Sequence, residues 1–443
     1  MHALPASDRG ADESWLFGPG AAWFAYAMTL ALMVMDYVDR QVIVSLFPYM
    51  KAEWNLSDQQ LGALVSVVSV TVALGALPVA LFADRVSRVK SIAVMALVWS
   101  AATASCMFAR GWGVLLGARA LVGLGEAGYG SVGAALIASH FPARLRATVL
   151  AGFFAAASVG SVLGVMLGGL IAAHWGWKAA FGVVGVPGMV LALLYLKVRD
   201  YRTVAPVAPV APVVLVARGS DAAPSPLRTA GAVLVALART RTLPWVCAGA
   251  AMQLIVVSAL WSWLPSFLNR VHGMTPAQAG TRAALVVLCG AAGSVVCGWL
   301  ADRAGRAQPQ RRLHVMALLC VVAAALLGAA FGLLQGPAQL ALIALGGFVA
   351  TCTVGPATVV LFGVIHPGMR ATGASVLALF QNLFGLALGP LIGGALSDHL
   401  GLTAALTLTP AFGVLAALAL LCAAPHYDYD LRRMAATPER SPE

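Results

Sequence analysis

Long apolar runs separated by short polar, often basic, interruptions fill almost the whole of this chain. Twelve runs stand out, roughly at 22–46, 57–82, 91–109, 112–138, 146–173, 178–198, 243–268, 275–301, 312–334, 337–362, 370–396 and 403–424. A helix needs about 20 residues to cross a hydrocarbon core roughly 30 Å thick, so each run predicts a transmembrane helix. The alternating segments of about ten residues that mark a membrane barrel are missing from the sequence. The expected fold is therefore an all-α integral membrane protein with twelve transmembrane helices.

Composition agrees, with 60% hydrophobic and 10% charged residues over 443 positions. The formal charge of +11 would suit a nucleic-acid binder, but its distribution does not. Of the 28 Lys and Arg, five (Lys51, Arg110, Lys178, Arg270, Arg282) fall in one set of alternate loops and two (Arg40, Arg119) inside spans. The rest gather in the tails and even-numbered loops, which the positive-inside rule assigns to the cytoplasm together with both termini. The opening "MHALPASDRGADESW" has no basic region followed by an apolar stretch, so no removable signal peptide is expected and the first span inserts itself. All seven Cys (106, 247, 289, 297, 320, 352, 422) lie in apolar spans without close pairing, which predicts neither disulfide nor zinc site.

One long polar interruption, 199–240, includes "TVAPVAPVAPVV", whose repeated Ala-Pro favours an extended linker. It divides the chain into an N-terminal tail (1–21), a six-helix bundle (22–198), the linker, a second six-helix bundle (243–424) and a C-terminal tail (425–443). The bundles look duplicated. Asp84 and Arg85 in "ALFADRVSRVK" recur as Asp302 and Arg303 in "GWLADRAGR". Gly160, Gly164, Gly168 and Gly169 of span 5 recur as Gly385, Gly389, Gly393 and Gly394 of span 11. Parallel six-helix repeats are a mark of one large class of secondary transporters.

These two loops resemble the signature loop of the major facilitator superfamily, G-x-L-A-D-R-x-G-R-K/R. The first copy departs from it at Ala80 and Ser87, whereas the second keeps Gly298 and Gly305. The resemblance implies a gating role for Asp84, Arg85, Arg88, Asp302 and Arg303. "DYVDR" (36–40), "WNLSDQQLGALVS" (54–66), "ARALVGLGEAGYGS" (118–131) and "FGVVGVPGMVLALL" (181–194) resemble the Spinster-like branch and, less closely, the anion:cation symporter branch. Spinster-like proteins are similar to proton-coupled carriers of lysophospholipids and sphingoid lipids. The resemblance ties Asp39, Arg40, Arg119 and Glu126 to coupling and substrate, and Tyr129, in the same string as Glu126, is a further candidate substrate contact. Asp36 stands where Asn is common in that branch, which leaves a solvated position near the interface open for it.

Residue chemistry leads to the same place. Asp36, Asp39 and Arg40 stand at i, i+3 and i+4 on one helical face, and Arg119 and Glu126 are two turns apart on another. Each ion at bilayer depth costs about 2.5–3.5 kcal/mol, so five unpaired ions would oppose insertion by roughly 13–17 kcal/mol. They are expected to face one another or a wet cavity. Three acids against two Arg leave one negative charge that a proton would balance, which makes Asp39, Glu126 and Asp36 the candidate proton carriers and Arg40 and Arg119 the candidate substrate ligands. A purely structural role, fixing helix register, is the competing reading.

Spans 7, 8, 10 and 11 carry no charge in their central portions, only polar residues such as Gln253, Gln381 and Asn382 and aromatics including Trp261 and Trp263. One ionic and one neutral wall suit an amphiphile with a polar head. The tryptophans equally fit an interfacial belt. Closely spaced glycines permit tight helix approach, and Pro78, Pro187, Pro265, Pro356 and Pro390 predict kinks.

An enzyme is not expected: "GLGEAG" (123–128) lies inside a span with no strand before it, and no nucleotide-binding domain is visible. His140, His174, His314, His366 and His399 have no ligand spacing and read as interfacial residues. The sequence thus predicts a monomeric inner-membrane carrier, working by alternating access without a cofactor beyond coupling protons. Its expected partners are membrane lipids and a small organic or lysolipid-like solute, with sugar acids or aromatic acids as the alternative substrates and a non-transporting sensor as the alternative role.

Overall fold

The computed structural model describes residues 15–200, 240–366 and 370–435, without the side chains at 77, 80–85, 371 and 435. The tails 1–14 and 436–443 and the linker residues 201–239 lie outside the described residues. Among the described residues every regular element is a helix. In chain order these are α1 Pro19–Val42, a 3-10 turn Ile43–Leu46, α2 Phe47–Trp54, α3 Asp58–Arg85, α4 Arg88–Cys106, α5 Trp112–Glu126, α6 Tyr129–His140, α7 Ala143–Trp175 and α8 Trp177–Tyr195. They continue with α9 Thr242–His272, α10 Pro276–Ala307, α11 Arg311–Gly332, α12 Pro337–Ala350, α13 Pro356–Val364 and α14 Arg370–Phe380. A π-helical turn Gln381–Leu386, α15 Leu388–Leu400, α16 Leu402–Leu408 and α17 Ala411–Ala435 complete the chain.

Eleven helical stretches among the described residues are long and apolar enough to cross a membrane. The expected tenth span is instead broken, its halves α12 and α13 meeting at residues 351–355. Span 4 is also interrupted. Gly128 takes a left-handed φ of 81°, which ends α5 at Glu126 and starts α6 at Tyr129. Broken helices at membrane depth are tolerated only where protein or a cavity satisfies the freed backbone. Local chemistry sets other ends: Ser57 caps α3, its hydroxyl accepting from Gln60 N–H while the Gln60 side chain accepts from Ser57 N–H.

The chain forms two compact units. The first comprises Met1–Thr203 with Trp261–Val287, and the second Val204–Leu260 with Leu288–Glu443, so that α9 and α10 each contribute to both. Leu32, Trp99, Leu136, Phe153 and Tyr195 lie in the core of the first unit; Val246, Leu313, Met316, Leu361 and Leu420 lie in the core of the second.

The repeated glycines have the same use in each unit. A Cβ on Gly164 of α7 would come within 2.6 Å of the Val38 carbonyl oxygen on α1, and one on Gly389 of α15 within 2.6 Å of the Ile255 carbonyl oxygen on α9. In both places backbone lies against backbone, which only glycine allows. The duplication seen in the sequence is thus a duplicated helix contact.

Cysteine and histidine positions refine the sequence reading. Cys320 and Cys352, 32 positions apart, have their sulfurs 3.7 Å from each other as free thiols. His140 is 1% exposed, not interfacial, with Nε2 against the Arg199 carbonyl and its ring 5.4 Å from that of Phe17.

Candidate functional site

The ions of α1 and α5 meet inside the first unit. Asp36, Asp39 and Arg40 share the α1 face turned toward α5, where Arg119 lies near the middle and Glu126 at the last position before the break. Arg40 Nε donates to Asp36 Oδ1 at 3.2 Å and lies 3.0 Å from Glu126 Oε2. Arg119 Nη1 contacts both Asp39 Oδ1 at 3.4 Å and the Asp39 carbonyl at 3.3 Å. The Arg119 Nε–H points at the Leu64 carbonyl, 3.5 Å away. Thr103 of α4 donates its hydroxyl to Asp39 Oδ2. Two ion groups, Asp36–Arg40–Glu126 and Asp39–Arg119–Thr103, are therefore joined through the adjacent residues 39 and 40.

Burial separates the members. Asp36 is 3% exposed, which does not fit the solvated position left open for it, and Asp39, Arg119 and Glu126 are equally enclosed. The Arg40 side chain keeps 19% exposure. Glu126 is the exception in bonding. Its distance to Arg40 is that of an ion pair, but the single Nε–H is directed at Asp36, and neither Glu126 oxygen accepts a hydrogen bond. A buried carboxylate normally finds donors, so Glu126 departs from the rule that buried polar groups are hydrogen-bonded.

Other candidate residues serve different ends. Tyr129 is 1% exposed, donates its hydroxyl to the Thr29 carbonyl at 2.6 Å and packs edge-on to Trp99 and Phe153, which is core packing beside the cluster and not an open substrate contact. Gln253, in the second unit, donates to the Ala350 carbonyl at 2.8 Å, while its Oε1 has no partner. The Trp261 indole N–H, in the first unit, is buried and also without a partner. Trp263 does not join an interfacial belt: it is 0% exposed, with its ring 5.2 Å from that of Phe47. Gln381 and Asn382 fall in the π-helical turn, where Asn382 Nδ2 donates to the Ala378 carbonyl of the preceding turn.

The candidate gating residues divide by loop. The Asp84 and Arg85 side chains lie outside the described residues, and Arg88 opens α4. In the second copy, Asp302 Oδ1 pairs with Arg312 Nη2 at 3.1 Å, and Arg303 lies over the Trp299 ring at 5.6 Å.

Sequence reasoning missed two things. Thr103 is an ordinary hydroxyl in "SAATASC", and nothing in that string shows which helix face meets Asp39. Asp58, a first-turn residue of α3, is clamped by Arg270 and Lys51. A signal for the second existed, because Lys51 and Arg270 are two of the few cations away from the basic loops. Among the described residues no three His, Cys, Asp or Glu gather as a metal site requires.

A multi-pass helical protein with an enclosed ion cluster and a duplicated helix contact belongs to the class of membrane transporters. The chain is a member of the Major Facilitator Superfamily, whose family model matches residues 29–386. The gallate transporter of Pseudomonas putida is 30% identical over 430 residues, covering 90% of this chain and 91% of its own length. Protein spinster of Drosophila melanogaster is 26% identical over 391 residues, covering 85% of this chain and 62% of that protein. The crystal structure of a bacterial homolog to the human lysosomal transporter Spinster, in an inward-facing and unoccupied conformation, superposes with a TM-score of 0.77 at 22% identity, covering 96% of this chain and 100% of that one, a likeness of fold. The chain is thus a multi-pass membrane transporter with Spinster relatives, and not an enzyme.

Proposed function

We propose that this transporter is a proton-coupled secondary carrier that moves an amphiphilic organic solute with an anionic head by alternating access. Its location is the bacterial inner membrane with both termini in the cytoplasm, as the distribution of basic residues supports. The observation that carries the reading is the Glu126 carboxylate, enclosed and without a hydrogen-bond donor 3.0 Å from Arg40. With Glu126 ionised, Arg40 lies between two carboxylates and has no positive charge to offer. Protonation of Glu126 leaves Arg40 with one carboxylate and an open place for a substrate anion. Proton and substrate then load together, which is symport. Arg119 and Asp39, held by Thr103, keep the second ion group fixed while the first changes charge.

Alternating access would use the gating loops at Asp84 and Asp302. Within the first unit, the Trp261 indole N–H is a further unpartnered buried polar atom. A second reading, a small aromatic or sugar acid as the substrate, is favoured by the gallate transporter's 30% identity over 90% of this chain.

Uptake into proteoliposomes tests both. Glu126→Gln is expected to keep counterflow of labelled substrate and to lose accumulation driven by a pH gradient by at least about tenfold, and undiminished accumulation would overturn the coupling role. Counterflow with a lysolipid but not with gallate supports the amphiphile; the reverse supports the second reading.

A further inference from the structure

Away from the ion cluster, the first unit carries a cleft of about 540 Å³ between the C-terminal part of α3, the first half of α4 and the end of α5. That volume is within the roughly 300–1,000 Å³ typical of small-molecule sites. Among the described residues its wall is aliphatic: Val79 from α3, Val94, Met95 and Val98 from α4, and Leu124 from α5. Such a wall fits a flexible alkyl chain. Val94 is 59% and Leu124 46% exposed, so the cleft is open at the surface of the first unit, and exposed aliphatic side chains on membrane-spanning helices suit contact with hydrocarbon.

Among the described lining residues polarity is confined to one end. Ser91 is 7% exposed, lines the cleft, and its hydroxyl has no hydrogen-bond partner. A buried hydroxyl in that condition calls for a ligand atom. Lys90, its neighbour in the first turn of α4, also lines the cleft and is exposed, and its ammonium forms no ion pair among the described residues. From Lys90 to Val98 the groove follows α4 for about 12 Å at 1.5 Å per residue. The arrangement is a cation and an unsatisfied donor at the mouth of an alkyl slot, with the cation free to reach the membrane surface.

We propose that this cleft is a lipid site that takes the single aliphatic chain of a long-chain fatty acid from the surrounding bilayer. The chain lies against Val94, Met95, Val98 and Leu124, and the carboxylate accepts from the Ser91 hydroxyl and pairs with Lys90. The site is separate from the Arg40–Glu126 group and does not depend on the transport reading. It abuts it, because the cleft is also lined by Gly125, the residue before Glu126.

A diazirine-bearing palmitate, photolysed with the full-length protein in nanodiscs and mapped by mass spectrometry, tests the assignment. Adducts are expected to concentrate on residues 78–98 and 124–125. Lys90→Gln is expected to lower labelling about fivefold, the equivalent of about 1 kcal/mol for one basic residue at a membrane surface. Lys90→Glu lowers it further, Lys90→Arg preserves it, and Ser91→Leu, which fills the slot, abolishes it. A palmityl alcohol probe of the same length labels less than the acid. If Ser91→Leu fails to fold, Val94→Trp, at an exposed wall position, blocks the same slot. Labelling spread evenly over the lipid-facing helices overturns the proposal, as do equal labelling by acid and alcohol or labelling by the acid that Lys90→Glu leaves unchanged.

Discussion

Arg270 grips Asp58 with both terminal guanidinium nitrogens, at 2.7 and 2.8 Å, across 212 positions of sequence. Lys51 reaches the same carboxylate at 2.5 Å. A related arrangement holds Lys178, which lies 3.0 Å from Glu53, whose other oxygen accepts from the Trp177 indole N–H at 2.6 Å. Three of the five cations that depart from the basic-loop pattern are therefore matched by a nearby acid. These three exceptions to the charge rule are structural fasteners.

The Asp58 clamp should contribute measurably to stability. Its acid is 3% exposed while the Arg270 side chain keeps 26%, so removing the acid is expected to cost about 2 kcal/mol, less than the roughly 3–5 kcal/mol of a fully buried pair. Asp58→Asn should lower the melting temperature of the purified protein, and Arg270→Lys, which cannot reproduce the two-pronged contact, should lower it in part. An unchanged melting temperature in both variants would show the clamp to be idle.

Thr103 should matter out of proportion to its size. A hydroxyl given to a carboxylate contributes about 1.5–3 kcal/mol, so Thr103→Val is expected to lower the rate of pH-driven uptake about tenfold, while Thr103→Ser stays within about twofold. Comparison of initial rates in proteoliposomes checks this. Similar losses in the two variants would assign the residue to packing.

Coupling should respond to charge at Glu126 in a particular way. Because neither of its oxygens accepts a hydrogen bond, Glu126→Gln removes a charge without stranding a donor. The variant is expected to fold normally, with its melting temperature unchanged or raised, and its substrate exchange should become independent of pH between about 5 and 8. Exchange that still varies with pH as in the parent protein would place the titrating group elsewhere.

The glycine contacts offer a test of packing with an internal control. Gly164→Ala puts a Cβ within 2.6 Å of the Val38 carbonyl, in a place where backbone must shift, and is expected to cost about 1–3 kcal/mol. Gly130→Ala meets nothing within 4 Å and should leave thermal stability unchanged or improved. Thermal unfolding followed by intrinsic fluorescence separates the two.

Much of this protein could be read before its fold was known. Hydrophobic run length determined the spans, because each helix must satisfy its own backbone in lipid. Repetition determined the duplicated glycines, and the insertion cost of five ions required Asp36, Asp39, Arg40, Arg119 and Glu126 to face one another or a wet cavity. What tertiary structure alone decided is which face of each helix meets which. That choice gave Arg40's single Nε–H to Asp36 and left Glu126 without a donor, brought Thr103 onto Asp39, turned Tyr129 into the core, and joined Asp58 to Arg270. It also broke span 4 at Gly128, immediately beyond Glu126. Periodicity is a property of one helix and is written in its own residues, whereas the partner of a buried polar atom depends on the rotation and depth of a second helix, which no local pattern encodes.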